Sequence, residues 1–222
     1  MKTVTLHLDF VSPYTYLLLT QCDRFARTHG VEWRIRPVVY GAILDATGLV
    51  GPVETDAKRA YTFRDVVRAA HMLNVPLKGP PAHPFRSLGA LRLLAAYQDA
   101  QVAMPLAQGL ASAAWAEGRD LTSTNVLSDV AGHLDLQLDV EDTIAAPDIK
   151  LTLRDNTTAA LSAGVFGVPT ASLEGELFWG HDRLGQLGAR LDGSMPPAGG
   201  ADEQMQRRPR GADRARAKES DQ

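Results

Sequence analysis

Val4-Thr5-Leu6-His7-Leu8-Asp9-Phe10 runs almost directly into Ser12-Pro13, and past Gly30 comes Val31-Glu32-Trp33-Arg34-Ile35-Arg36-Pro37-Val38. The first run alternates with period two, which predicts a half-buried strand. Serine is a favoured helix cap and proline a favoured first helical residue, so a helix is expected from Pro13 to about Thr28, with Gly30 ending it. The second run alternates again. A strand, a helix and a strand of this length imply two parallel strands joined by a right-handed crossover.

Outward from this unit the pattern changes. Phe63, Val66, Val67 and Ala70 sit at i, i+3, i+4 and i+7, and Leu88, Leu91 and Ala95 repeat helical spacing. Further helices fit Leu106–Glu117, Ser123–Leu134 and Ile149–Ala163, the last stopped by Gly164. Pro76, Gly79-Pro80-Pro81 and Pro84 mark a rigid bend. Two short strands, Pro169–Leu173 and Glu176–Trp179, follow around a Glu174-Gly175 turn, and a final helix runs from about Asp182 to Leu191. The order is therefore βαβ, a helical block, then ββα. It reads as one α/β domain over residues 1–192, interrupted by an all-helical insertion at about 56–164. Residues 193–222 have few large apolar side chains, so a disordered C-terminal tail is expected. Arg207, Arg208, Arg210, Arg214 and Arg216 leave a basic arm as the alternative, diluted by interleaved acids.

The net charge of −3, without a basic stripe before about residue 190, argues against nucleic acid as a partner. The first residues lack a signal-peptide core, and the apolar run Tyr16–Leu19 is too short to cross a bilayer. A cytoplasmic protein without a membrane partner is expected. Cys22 is the only cysteine, so an internal disulfide, a CxxC pair and a thiolate cluster are all impossible. It lies in the apolar stretch Tyr16–Phe25 and reads as buried and inert rather than as a lone nucleophile. The six histidines (7, 29, 71, 83, 133 and 181) show no pair at helical ligand spacing, and no GxGxxG or P-loop is present. Neither a metal nor a nucleotide cofactor is expected.

Three segments carry a resemblance. Asp9-Phe10-Val11-Ser12-Pro13-Tyr14-Thr15-Tyr16-Leu17, Ala57-Lys58-Arg59-Ala60-Tyr61 and Gly164-Val165-Phe166-Gly167-Val168-Pro169-Thr170 occur in order, the third continuing to Phe178-Trp179-Gly180-His181-Asp182-Arg183. Together they resemble the 2-hydroxychromene-2-carboxylate isomerases, relatives of the kappa-class glutathione transferases and of DsbA-type oxidoreductases. The likeness covers roughly residues 3–191. It implies a thioredoxin-like domain with an all-helical insertion, glutathione as cofactor, a small-molecule substrate and a homodimer. The activity it implies is a glutathione-dependent cis–trans isomerisation of an unsaturated carboxylic acid, used in aromatic catabolism. A kappa-like transferase that keeps the thiol adduct and a glutathione-binding protein without turnover are the alternatives.

Where a DsbA-type helix opens with Cys-Pro-x-Cys, this chain has Ser12-Pro13-Tyr14-Thr15. Dithiol exchange is thereby lost, but a hydroxyl and a helix N-terminus remain to favour an external thiolate. Ser12 is the candidate catalytic residue; on sequence alone a plain helix cap is the favoured reading, and the resemblance reverses that order. The resemblance makes Val168-Pro169 a cis-proline loop whose Val168 N–H and C=O face the cofactor. It makes Gly180, His181, Asp182 and Arg183 the holders of the γ-glutamyl end, although Asp182 could simply be a cap. Lys58 and Tyr61, one turn apart, are candidates for a substrate carboxylate, against a solvated lysine and a core tyrosine. His83 is placed near the substrate by family position alone. One departure concerns the second loop. The aromatic-degrading isomerases carry an Asn-Arg pair shortly after a Gly-Pro, and this chain reads Gly51-Pro52-Val53-Glu54-Thr55.

Overall fold

The computed structural model describes residues 1–209 and 211. Its sheet has four strands, β1 (Lys2–Leu8), β2 (Val31–Pro37), β3 (Thr170–Leu173) and β4 (Glu176–Trp179), in the order β2-β1-β3-β4. β1 runs parallel to β2, with Leu6 opposite Ile35, and antiparallel to β3, with Leu6 opposite Ala171. The β3–β4 hairpin turns on Glu174 and Gly175, both in the left-handed region at φ 53° and 87°. Such turns follow the natural twist of the paired strands, and glycine at the second position removes the Cβ penalty. β1 contributes Val4, Leu6 and Leu8 to the core, all fully buried. Its His7 is also buried, and the loss of water, aided by Arg36, lowers its imidazole to a pKa of about 4.

The expected single helix from Pro13 to Thr28 is two helices, α1 (Pro13–Leu19) and α2 (Cys22–His29). The break has a local cause. In a continuous helix the Leu17 carbonyl would accept the Gln21 N–H; instead it accepts Thr20 Oγ1 at 2.8 Å and Gln21 Nε2 at 2.9 Å. The Gln21 N–H falls back on Leu18. Cys22 therefore opens α2 rather than sitting mid-helix. It is fully buried, with Sγ 3.5 Å from the Leu18 carbonyl, and burial raises its thiol pKa.

Between β2 and β3 run α3 (Tyr40–Thr47), α4 (Asp56–Leu73), α5 (Leu88–Ala95), α6 (Ala100–Trp115), α7 (Thr124–His133), α8 (Val140–Ala145) and α9 (Pro147–Ser162). The sequence patterns missed α3 and α8, which are short and carry a single buried apolar residue each, Ile43 and Val140. α6 begins six residues before the expected Leu106. Asp99 caps it by accepting the Gln101 N–H at 2.9 Å, and the helix carries Pro105 in its interior. On α4 the apolar stripe is narrower than expected: Val66 and Ala70 are buried but Val67 is exposed.

Side chains tie the helical block to the sheet. Trp115 Nε1 donates to the Phe10 carbonyl at 2.9 Å, and Tyr16 Oη donates to Pro76 at 2.7 Å. Trp33 Nε1 donates to Cys22 at 3.1 Å. The final helix starts as a 3-10 turn, His181–Arg183, and continues as α10 (Leu184–Leu191), which packs on α2 and β4. Of the segment after residue 192, Met195 packs against the core and Ala201–Gln206 forms a short helix, α11. Asp202 and Glu203 sit in the first turn of α11, where the helix end favours negative charge. The rest of the expected tail, residues 210 and 212–222, lies outside the described residues. Among those described, no helix is long and apolar enough to cross a membrane.

Candidate active site

The end of β1 organises the site through a buried carboxylate. Asp9, 2% exposed, accepts the Val11 N–H at 3.1 Å and the Ser87 hydroxyl on Oδ1, and the Tyr40 N–H at 2.9 Å on Oδ2. One side chain thus fastens the loops leading into α1, α3 and α5. Burial raises the carboxyl pKa against the opposing pull of Ser87 and of the Tyr40, Val11 and Phe10 amides. Asp9 stood in the quoted motif without a role, because a strand-ending aspartate reveals its three partners only in three dimensions.

Ser12 precedes α1 in an extended conformation and is 8% exposed. Its side chain makes no cap bond to its own helix. Instead Oγ donates to the Val168 carbonyl at 3.1 Å, across 156 positions of sequence. The Val168 carbonyl is therefore taken, not free as the sequence reading expected, while the N–H has no backbone partner among the described residues. The Val168–Pro169 peptide is cis.

The Pro169 carbonyl accepts the Gly180 N–H at 2.9 Å, bringing the turn before α10 beside Ser12. Gly180 has φ 106°, and a Cβ there would lie 2.6 Å from Asp182 Oδ1, so only glycine fits. Asp182 pairs with Arg183 at 2.8 Å. His181 stacks flat on Tyr14, ring centres 5.3 Å apart, and Tyr14 Oη donates to Asp65 at 2.8 Å. Burial lowers the His181 pKa, and burial with Asp65 raises that of Tyr14.

These groups line one cavity of about 700 Å³, mostly apolar, within the usual range for small-molecule sites. It holds Ser12, Val168, Gly180, His181, Asp182 and Arg183, and His83 as well. Pro169 is not in the lining and acts through its bond to Gly180. Lys58 and Tyr61 do not line it either: both are exposed on α4, and the lining takes Thr62 and Asp65 from that helix instead. A residue at position 61 points about 100° away from one at 62, which carries the Tyr61 ring off the cavity.

His83 is held rather than free. Its Nε2 lies 2.8 Å from the Val11 carbonyl, which makes that nitrogen the N–H donor, and Phe63 and Trp115 wall the ring at 5.2 and 5.5 Å. Burial lowers its pKa, and Nδ1 is buried without a partner. It supports the Val11–Ser12 backbone. Residues that sequence reasoning missed include Tyr40, Leu44, Phe85, Arg86 and Trp179. Among the described residues no group of three or more His, Cys, Asp or Glu could hold a metal ion.

The chain is 30% identical over 195 residues to the 2-hydroxychromene-2-carboxylate isomerase of Pseudomonas putida, covering 83% of this chain and 91% of that protein. It is 26% identical over 216 residues to glutathione S-transferase kappa 1 of Homo sapiens, covering 89% of this chain and 96% of the transferase. Among solved structures, that of a 2-hydroxychromene-2-carboxylate isomerase superposes with a TM-score of 0.79 at 25% identity, covering 86% of this chain and 95% of that one. The model of the DSBA-like thioredoxin domain matches residues 3–192. A four-stranded sheet of thioredoxin-like order, a Ser-Pro helix start where the redox motif would stand, and a match over this span lead to one conclusion: the chain belongs to the DSBA-like thioredoxin domain family, alongside the 2-hydroxychromene-2-carboxylate isomerases.

Proposed function

We propose that this chain is a glutathione-dependent isomerase that interconverts cis and trans forms of an unsaturated carboxylic acid of the 2-hydroxychromene-2-carboxylate kind. What carries the reading is Ser12. Its hydroxyl stands at the start of α1, is not spent on capping, and faces a pocket that does not include Cys22, the chain's only thiol. When bound, glutathione supplies the thiolate whose addition to an activated double bond lets that bond rotate before elimination restores it.

The chain's own groups fit this role. The Ser12 hydroxyl would leave the Val168 carbonyl for the sulfur, exchanging a neutral hydrogen bond for a charge-assisted one about twice as strong. The helix end adds partial positive charge, and lowering a thiol pKa by one unit takes only about 1.4 kcal/mol. Val168, released by Ser12, would offer both backbone groups to the cysteinyl segment as a neighbouring strand does. Asp182 would exchange Arg183 for the γ-glutamyl ammonium, and the amides of the His181–Arg183 turn would meet its carboxylate.

A second reading, a kappa-like transferase, draws support from the human kappa relative and shares every step up to thiolate attack. Incubating the purified chain and glutathione with 2-hydroxychromene-2-carboxylate, and separately with 1-chloro-2,4-dinitrobenzene, divides the two. Isomerisation with glutathione recovered supports the first; chloride release with a stable thioether and no isomerisation supports the second. Glutathione binding by calorimetry with neither product would leave a binding protein without turnover. A homodimer and a cytoplasmic address belong to the same proposal, and light scattering of the purified chain tests the first.

A further inference from the structure

Half of the cavity is not used by the glutathione reading. Apart from the groups around Ser12 its walls include Tyr40 and Leu44 of α3, Val53 of the loop after it, Phe85 of the bend and Leu88 and Leu91 of α5. These are ring-sized and branched apolar surfaces, suited to a flat hydrophobic body.

The charges around the cavity leave one group over. Four carboxylates line it, and each is already engaged. Asp9 takes its three donors, Asp65 accepts from Tyr14, and Asp182 pairs with Arg183. Glu54 folds back on its own loop, with Oε1 accepting the Gly51 N–H at 3.0 Å, and its charge adds to burial in raising the pKa of the Tyr40 phenol; it forms no ion pair with Arg86 among the described residues. Two arginines line the cavity, and Arg183 is in its pair with Asp182. Arg86 has no hydrogen-bond or ion-pair partner among the described residues. It is exposed, between the Pro84–Phe85 bend and the start of α5, and lines the same cavity as Gly51, Pro52, Val53 and Glu54.

We infer that Arg86 is the specificity-determining residue of the distal half of the pocket, recognising the anionic group of a flat apolar substrate from the α5 side. The inference deepens the proposed function and rests on it for the division of the pocket into two halves. A guanidinium presents a planar fork that matches a carboxylate, with the apolar walls holding the ring behind it. An ammonium at the same place would attract the charge without that fork.

The test uses two probes of one shape, 2-naphthoate and 2-naphthamide, titrated calorimetrically into the intact chain at low salt. The expected result is roughly tenfold tighter binding of the acid. The preference should fall to near one in Arg86→Gln, survive in part in Arg86→Lys, and stay intact in Lys58→Gln, which removes an exposed cation outside the lining. Melting curves of each variant check the fold. Equal binding of the two probes by the native chain overturns the inference, as does a preference unchanged in Arg86→Gln or lost equally in Lys58→Gln. A parallel titration with glutathione separates the two readings. An Arg86-dependent preference without glutathione binding removes the thiol chemistry and leaves Arg86 standing. Glutathione binding without the preference removes Arg86 alone.

Discussion

The two halves of the pocket are built differently. Around Ser12 nearly every polar group is tied: Ser12 to Val168, Tyr14 to Asp65, Gly180 to Pro169, Asp182 to Arg183. Ser12 follows the end of β1, Val168 precedes β3 and Gly180 follows β4, ends that the sheet brings together. Around Arg86 the walls are apolar side chains from α3, α5 and the connections beside them, and Arg86 has no partner among the described residues. The contrast suits a half that always meets the same partner and a half free to change its substrate. Loops on a rigid scaffold are where specificity can vary without disturbing the fold. The largest break in this comparison comes from Ser12→Ala. Glutathione-dependent turnover should fall by roughly a hundredfold or more, the usual result of removing one donor to a developing anion. Stability should fall by only about 1 kcal/mol, for one neutral hydrogen bond. Unchanged turnover, followed by product chromatography, would remove Ser12 from the chemistry.

Asp9 is fastened to both halves, and its replacement should loosen both together. In Asp9→Asn the amide cannot accept from all three donors, so one faces an N–H instead of a lone pair, at a cost of about 2 kcal/mol. The pH dependence has a definite sign. Burial holds the folded carboxyl above its ordinary value of 3.8, so the folded state binds the proton more tightly. That contribution to stability is full below pH 3.8 and is lost as pH rises through the folded pKa. His7 acts in the opposite sense, present above 6.5 and lost as pH falls through about 4. The difference between native and Asp9→Asn urea midpoints, followed from pH 4 to 8, isolates the carboxyl. It should narrow as pH rises, and a constant difference would mean that Asp9 titrates no differently when folded.

The same contrast explains what the sequence could tell. The β1–α1–β2 unit is written in period-two runs and a Ser-Pro start, local signals that need no distant partner; the βαβ…ββα order could be read from such signals, while the thioredoxin-like fold was what the family resemblance implied. The Ser12 side was legible because its residues fall in short contiguous stretches. Tyr40 and Leu44 lie on the short α3, whose one buried apolar residue leaves no stripe to read, and Arg86 lies in the connection before α5; Asp9, through the Tyr40 N–H and the Ser87 hydroxyl, is what brings the starts of those two helices together. The break between α1 and α2 was hidden for another reason. Thr20 and Gln21 suit a helix by pattern, and only their side-chain bonds to the Leu17 carbonyl end it.

Cys22 offers a smaller effect, on stability alone. The residue is fully buried in the main core and belongs to neither half of the pocket. Cys22→Ser places a hydroxyl where a weakly polar sulfur now lies near the Leu18 carbonyl, so one hydrogen bond is available to it. A loss of about 1 kcal/mol is expected, with glutathione-dependent activity within twofold of the native chain. Disulfide-reductase activity should be absent from both proteins. Activity that disappeared with this thiol would overturn the borrowed-thiol reading.

The smallest effects should come from Lys58 and Tyr61, and their smallness is informative. Both are exposed on α4, and Tyr61 is 61% exposed although it lies close enough to Tyr14 to oppose ionisation of that phenol. Lys58→Ala and Tyr61→Phe should each change kcat/KM by less than twofold, because neither side chain lines the cavity. Thr62→Val is the matched comparison, since Thr62 is buried on the same helix and does line it. That substitution removes a hydroxyl while nearly keeping the volume, so a change in KM larger than in either neighbour locates the working face of α4. If Lys58→Ala instead raised KM tenfold for a carboxylate substrate and left the neutral analogue alone, α4 would supply the anion contact. The distal half would then be read from the opposite wall, with Arg86 reduced to a solvated surface charge.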